Sequence, residues 1–214
     1  MNFPRATAAV LLLATIGVSG ADAQTVKTGS AEPIQVGNVP DNIKVPAGNK
    51  VFRVGHGVGT QNYVCLPSGN DFKFVLFTPE ATLFNEDGQQ LTTHFFSPNP
   101  FEDGTIRVTW QHSRDSSTVR GKVRPADPAV PGDLGDSSTD AAFVAQGAVA
   151  WLKVTATATA NGPTGGDTLT KTTFVQRLNT AGGLAPKEGC DSLASLGNQA
   201  FVPYTADYFF YTDQ

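Results

Sequence analysis

Charge and long apolar runs are both scarce in this sequence. Charged residues make up 16% of the 214 residues, and the formal net charge is -4 at pH 7. This mildly acidic balance excludes the basic surface of a nucleic-acid-binding protein and a polybasic membrane patch, so we expect no nucleic-acid partner. Beyond the N-terminal segment, no apolar run approaches the roughly 20 residues that a membrane-spanning helix needs. We therefore expect no membrane span once that segment is removed.

The N-terminal segment has the three parts of an export signal. Arg5 supplies a positive charge, Ala8–Val18 form a short apolar run, and Ala21–Ala23 have the small residues of a cleavage site. The sequence predicts a signal peptide over residues 1–23 and a single domain over residues 24–214, located in the periplasm or the extracellular medium. The alternatives are an uncleaved anchor and a chance apolar start.

Cysteine is nearly absent, and the two that occur are Cys65 and Cys190. In an exported protein such a pair most simply forms a disulfide, which here closes a loop over more than half of the chain. On the chain-entropy model, a loop of that length stabilises the fold by up to about 5 kcal/mol. A metal pair and two free thiols are the alternatives, but neither cysteine has a second Cys or a His at the spacing of a metal site.

Glycine and proline are plentiful, with 22 and 14 residues. This composition suits many short strands and turns better than long helices. The sequence predicts an all-β fold, an antiparallel β-sandwich or barrel of about ten strands with at most one or two short helices. The helix candidate is Asp191–Gly197, where Asp191 would cap the start and Gly197 would end it.

The central element is a predicted hairpin over residues 105–123. Its two strands alternate apolar and polar side chains, which is typical of strands with one dry face. With a loop over Ser113–Ser116, the facing pairs are Trp110 with Val119, Val108 with Gly121, and Ile106 with Val123. We expect the indole of Trp110 to cover the gap at Gly121.

Further strands follow from the same patterns. Edge strands are expected at Pro33–Val36 and Asn42–Pro46, and a buried strand at Phe72–Phe77. Val51–Val58 and Gln61–Cys65 are predicted as two strands with a glycine-rich break between them. The Asp87-Gly88 pair favours a two-residue hairpin turn that sets Phe84 opposite Leu91.

Five longer stretches are more specific than these patterns. They are Gly59–Cys65, His94–Pro100, Asp103–Ser117, Lys171–Pro186 and Phe201–Tyr211. Together they resemble the DUF3455 family of exported proteins, and the resemblance covers nearly all of the chain after the predicted signal peptide. The function of that family is not established, so the resemblance implies export but no mechanism.

The tip of the central hairpin carries the candidate site. His112, Arg114 and Asp115 suit a polar site in which the histidine acts as a base, the aspartate orients it and the arginine binds an anion. The competing interpretation is an ordinary turn, since Asp and Ser favour loops by bonding their own backbone. His94 and Trp110, from the neighbouring strands, complete the candidate binding residues.

Metal and nucleotide sites have little support. The histidines, His56, His94 and His112, number only three, and the predicted hairpins do not set the last two side by side. A polar loop over 124–140 contains four aspartates, but without the alternate spacing of an EF-hand calcium site. Glycine-rich stretches lack the following helix that a phosphate cradle needs. We therefore expect no cofactor and no metal.

The last predicted strand is rich in aromatic side chains that suit stacking on a sugar or contact with a partner. Alternation alone would bury about half of them. The five residues are Tyr204, Tyr208, Phe209, Phe210 and Tyr211.

Two functional hypotheses follow. The first is an exported all-β binding or structural module, with an unknown small molecule or an envelope or extracellular partner. The alternative is a secreted enzyme with its site around His112, Arg114 and Asp115. In an enzyme, the His112–Asp115 pair would lie in a concave pocket, whereas in a binding module these side chains would hydrogen-bond only to neighbouring groups of the loop.

Overall fold

The computed structural model of the protein describes residues 34–213. The predicted signal peptide and its cleavage site lie outside these residues. Within them the chain forms nine strands and three short 3-10 turns. The strands are β1 Lys50–Ser68, β2 Asp71–Phe84, β3 Gln90–Asn99, β4 Thr105–His112, β5 Thr118–Lys122, β6 Ser137–Ser138, β7 Trp151–Ala160, β8 Phe174–Gly182 and β9 Gln199–Thr212. The turns are Asp41–Ile43, Pro100–Glu102 and Leu193–Ser195.

Eight of the strands close into an antiparallel barrel. β1 to β5 form a continuous meander, β5 pairs with β7, and β7, β8 and β9 continue the order until β9 pairs with β1. The two-residue β6 pairs with the start of β7, beyond the end of β5. The all-β prediction is confirmed, and the architecture is a barrel, not a sandwich. Closure pairs both edges of each main strand, which protects them from joining other chains.

The glycine-rich part of β1 is continuous strand, so the predicted break is wrong. A Cβ on Gly57 would lie 2.7 Å from the ring of Tyr208, and a Cβ on Gly59 would lie 2.0 Å from the carbonyl oxygen of Glu80. These glycines therefore allow close approach inside a strand, where sequence patterns usually associate glycine with a turn. A single 19-residue strand results.

The predicted pairing of the central hairpin is confirmed near its loop, but the pair predicted farthest from the loop, Ile106 with Val123, does not form. Trp110 faces Val119, and Val108 faces Gly121, as the alternation predicts. The pairing stops there, because β5 ends at Lys122 and Ile106 is 56% exposed. The gap at Gly121 is filled from β7, not by the indole, since a Cβ there would lie 2.5 Å from Val154 Cγ1.

The β2–β3 connection is longer than predicted. It spans residues 85–89, where Asn85 accepts from the backbone N–H of Gly88 at 2.9 Å and its side chain accepts from that of Gln89 at 2.8 Å. Phe84 therefore faces Gln90, not Leu91. The predicted buried strand Phe72–Phe77 lies within β2, but it is only partly covered.

The chain before β1 forms no strand over its described residues, so both predicted edge strands are wrong. Asp41–Ile43 forms a 3-10 turn instead, and Ile43 is fully buried. Asp191–Gly197 is likewise no α-helix, because only Leu193–Ser195 are helical, in 3-10 form. The Asp191 carboxylate accepts from the Ser195 hydroxyl and caps no backbone N–H there.

Two apolar clusters stabilise the fold. The first lies inside the barrel and includes Leu83, Trp110 and Phe210. The second lies on the outer face of β7, β8 and β9, where Trp151, Phe209 and neighbouring side chains pack against Ile43 and the loop before β7. All five aromatics of the last strand are buried in one cluster or the other, so they do not form an exposed surface for a partner. The residues buried inside the barrel are Tyr204, Tyr208 and Phe210, and those buried outside it are Phe209 and Tyr211.

The predicted disulfide is confirmed. Cys65, near the end of β1, bonds Cys190 in the loop before β9, with their Cα atoms 5.4 Å apart. The backbone N–H of Cys65 also donates to Asn198 at 2.8 Å, and its carbonyl accepts from Gly197 at 3.0 Å. The bond therefore fixes the β8–β9 loop against one end of the barrel, here called the disulfide end.

Candidate functional site

A cavity of about 420 Å³ opens inside the barrel toward the disulfide end. Its volume falls in the range of pockets that hold small molecules. Most of its wall is apolar because alternate residues of each strand point inward. Those side chains include Leu76, Phe96, Val108, Leu152 and Val154, and Leu184 of the β8–β9 loop adds to them.

Stacked aromatic rings form the inner wall of the cavity. His94 of β3 faces Trp110 of β4 across the strand pair, and their rings stack with centroids 4.5 Å apart and planes 13° apart. Tyr208 of β9 lies 5.1 Å from the His94 ring and 5.8 Å from the Trp110 ring. These residues are nearly fully buried, so the end of the cavity is rigid and well packed.

His94 is a neutral imidazole in this environment. Burial lowers its pKa from 6.5 to about 3, and the nearby charge of Arg177 acts in the same direction. Its Nδ1 lies 3.1 Å from the backbone carbonyl oxygen of Thr109. A carbonyl can only accept, so Nδ1 carries the proton and Nε2 is the acceptor of the ring.

Two tyrosine hydroxyls add polar groups beside the cavity. The hydroxyls of Tyr204 and Tyr208 lie 2.9 Å apart, and burial raises the pKa of both phenols above its usual value. Burial also raises the pKa of Tyr63, whose hydroxyl donates to the Gly183 carbonyl at 2.5 Å. All three therefore remain uncharged and act as hydrogen-bonding groups.

Arg177 of β8 supplies the positive charge of the cavity wall. It lies between Leu152 of β7 and Tyr208 of β9 in the register of the sheet. Its Nε and Nη2 donate to the Ala150 carbonyl at 3.2 and 2.8 Å. Sequence reasoning missed this residue, although its spacing from Val175 places it on the inner face of the strand.

Two further donors near the cavity are unpaired. Trp110 Nε1 and Gln61 Nε2 are buried and have no hydrogen-bond acceptor among residues 34–213. Buried donors without partners are unusual in native proteins, and they often mark functional positions.

The structure separates the predicted site residues into two groups. His94 and Trp110 line the cavity. His112 and Asp115 lie at the opposite end of the barrel, where their side chains are 2.8 Å apart. Arg114 is apart from both groups, and its Nη2 donates to the Gln89 side chain at 3.2 Å.

Asp115 has a dense set of local partners. Burial alone would raise its pKa, but hydrogen bonds from Thr168 and Ser117 hold it well below its usual range. The Thr168 hydroxyl donates at 2.6 Å and that of Ser117 at 2.7 Å. With His112, this carboxylate joins the β4–β5 loop to the β7–β8 loop, and the 420 Å³ cavity is lined by neither residue.

Two of the four aspartates in the polar loop pair with cations of the protein. Asp133 forms two bonds with Arg124, at 2.6 and 2.9 Å. Asp136 lies 3.2 Å from Lys153 Nζ. Across the part of the chain that the structure describes, no three His, Cys, Asp or Glu side chains are grouped to hold a metal ion.

His56 lies away from the cavity, between two carboxylates. Its Nδ1 is 2.7 Å from Asp207, and its Nε2 is 3.0 Å from Glu86. The bond with Asp207 is the main reason that its pKa is raised.

No helix in residues 34–213 is long and apolar enough to cross a membrane. A family model described as a protein of unknown function, DUF3455, matches residues 46–212. No curated protein matches the chain, and no solved structure does.

Proposed function

The chain belongs to the DUF3455 family, whose function is unknown, and we propose that it is an exported binding protein for a small, mainly apolar molecule. The ligand would occupy the 420 Å³ cavity inside the barrel. The single observation that carries this proposal is a mainly apolar cavity whose wall also presents a few convergent polar groups. Such a combination is the usual form of a small-molecule site.

Rigidity of the cavity wall supports binding. The strands are held by continuous pairing around the barrel, and the disulfide fixes the loop beside the cavity mouth. A preformed site loses little conformational freedom when the ligand enters, so more of the contact energy appears as affinity.

Export remains part of the proposal. The N-terminal sequence has the pattern of a signal peptide, and a disulfide persists best in an oxidising compartment. These two features support a periplasmic or extracellular protein of one domain after residue 23.

We assign the pair at the other end of the barrel a structural role. His112 and Asp115 are bonded to each other and to the neighbouring loop, which matches local bonding rather than an enclosed site. His94 and Trp110 are instead proposed as ligand contacts, because both line the cavity.

The test uses phenylnaphthylamine, a neutral dye that fluoresces in apolar surroundings, with the protein lacking residues 1–23. We expect saturable dye binding. Leu152→Trp places an indole in the cavity and should abolish it. The matched control is Phe77→Trp, since Phe77 is a 41% exposed β2 residue that does not line the cavity. Equal dye binding by both variants, with both folded by circular dichroism, would show that the cavity is not the site.

A further inference from the structure

Among the described residues that line the cavity, Arg177 is the one charged side chain. The other residues that line the cavity are apolar or neutral, since His94 is unprotonated and neither Asp nor Glu is present among them. Arg177 also takes part in none of the ion pairs found in residues 34–213. The cavity therefore holds a positive charge that no acidic side chain of the described residues pairs with.

Hydrogen bonds hold the Arg177 guanidinium in place but occupy only some of its N–H donors. Both bonds from Nε and Nη2 end on one acceptor, the Ala150 carbonyl oxygen. A guanidinium has five N–H donors, so others remain for a ligand. Tyr208 lies directly opposite Arg177 in the β8–β9 register, and both residues line the cavity.

An arginine in an apolar chamber is unfavourable unless an anion joins it. Partial burial removes water from the charge, and an opposite charge in good geometry offsets that loss. The planar fork of a guanidinium matches a carboxylate, to which it donates two parallel bonds. A single cation beside a neutral imidazole suits a ligand with one negative charge better than a dianion such as a phosphate monoester.

We propose that the ligand is an apolar molecule with one carboxylate, which pairs with Arg177 while the apolar part fills the cavity. This inference rests on the proposed binding function and names the ligand class. The aromatic wall of His94, Trp110 and Tyr208 contacts the apolar part near the charged end. The apolar part then extends between Phe96, Val108 and Leu152 toward the mouth.

The experiment measures displacement of phenylnaphthylamine by three probes of matched chain length: decanoate, decanol and decylamine. We expect decanoate to bind about tenfold or more tightly than decanol, as a charge-assisted hydrogen bond provides. Decylamine should be the weakest, because its charge repels Arg177. Phenylbutyrate and phenylbutanol repeat the comparison with an aromatic body.

Variants then assign the preference to its residue. Arg177→Gln removes the charge and should make decanoate no better than decanol, whereas Arg177→Lys should keep part of the preference. Arg120→Gln is the matched control, since Arg120 lies on β5, bonds the hydroxyls of Ser97 and Thr118, and does not line the cavity. It should leave the preference unchanged.

The outcomes separate the two proposals. If wild-type protein binds decanol as tightly as decanoate, the carboxylate inference is wrong and the binding function stands. A preference that survives in Arg177→Gln would also overturn the inference. If the dye itself does not bind, the proposed function is wrong. The wild-type comparison alone decides the matter if Arg177→Gln does not fold.

Discussion

The pH dependence of unfolding tests whether the His94 imidazole is buried and neutral inside the barrel. Burial lowers its folded-state pKa from 6.5 to about 3. Between pH 6.5 and about pH 3, His94 is protonated in the unfolded chain but not in the folded protein. The free energy of unfolding therefore falls as the pH falls below 6.5. Each pH unit in this window removes on the order of 1 kcal/mol, and the total approaches roughly 5 kcal/mol near pH 3.

The variant His94→Asn isolates this contribution. Asparagine keeps a donor for the Thr109 carbonyl but cannot take up a proton in this range. The ionisable side chains that the structure relates to this ring are Tyr208, whose ring lies 5.1 Å away, and Arg177. Carboxylates elsewhere titrate alike in both proteins, so the difference between them reports on His94.

The assay is urea unfolding, followed by circular dichroism, at a series of pH values below neutrality. The wild-type protein should lose stability more steeply with acid than His94→Asn, by on the order of 1 kcal/mol for each pH unit below 6.5. His56→Asn is the control. Because the pKa of His56 is raised in the folded protein, its stabilising contribution is complete at low pH and is lost as the pH rises through that pKa. The His56→Asn variant should therefore lose stability with acid as steeply as the wild-type protein. Parallel slopes for wild type and His94→Asn would refute the buried, neutral imidazole.

Three further predictions concern the frame of the barrel, and urea unfolding measures each. Reduction of the Cys65–Cys190 bond should lower the free energy of unfolding by up to about 5 kcal/mol; an unchanged value would contradict a stabilising role. Asp115→Ala should cost about 3 kcal/mol by leaving several buried donors unpaired, with dye binding retained in the folded protein. Gly59→Ala should cost more than about 2 kcal/mol because its Cβ would clash with the Glu80 carbonyl, and a neutral effect would disprove that close approach.

Local alternation is sufficient to predict the tip of the central hairpin. The pairing of Trp110 with Val119 depends only on the period of two and on the length of the loop. Closure of the barrel is different, since it depends on β1 with β9 and β5 with β7, strands that are far apart in the chain. The outer apolar cluster is equally non-local, because Ile43 becomes a core residue only when β7 to β9 lie beneath it.

The candidate site shows the same division. His94 and Trp110 are predicted site residues that do line the cavity, and the hairpin register brings their rings together. Arg177 is missed because one charge on an alternating strand resembles an ordinary solvent-facing residue. Its significance depends on the neighbours that the barrel provides, including Leu152 and Tyr208. The polar tip at His112 and Asp115 attracts attention in the sequence, yet its partners lie within its own and the adjacent loop.

Calorimetric titration of decanoate into the protein lacking residues 1–23, with Leu152→Trp alongside, tests the central claim most directly. An enclosed ligand cavity predicts saturable binding of one decanoate per chain by the wild-type protein and none by the folded variant. Absence of both decanoate and phenylnaphthylamine binding by the wild type, or identical decanoate binding by both folded proteins, would contradict a ligand site inside the barrel.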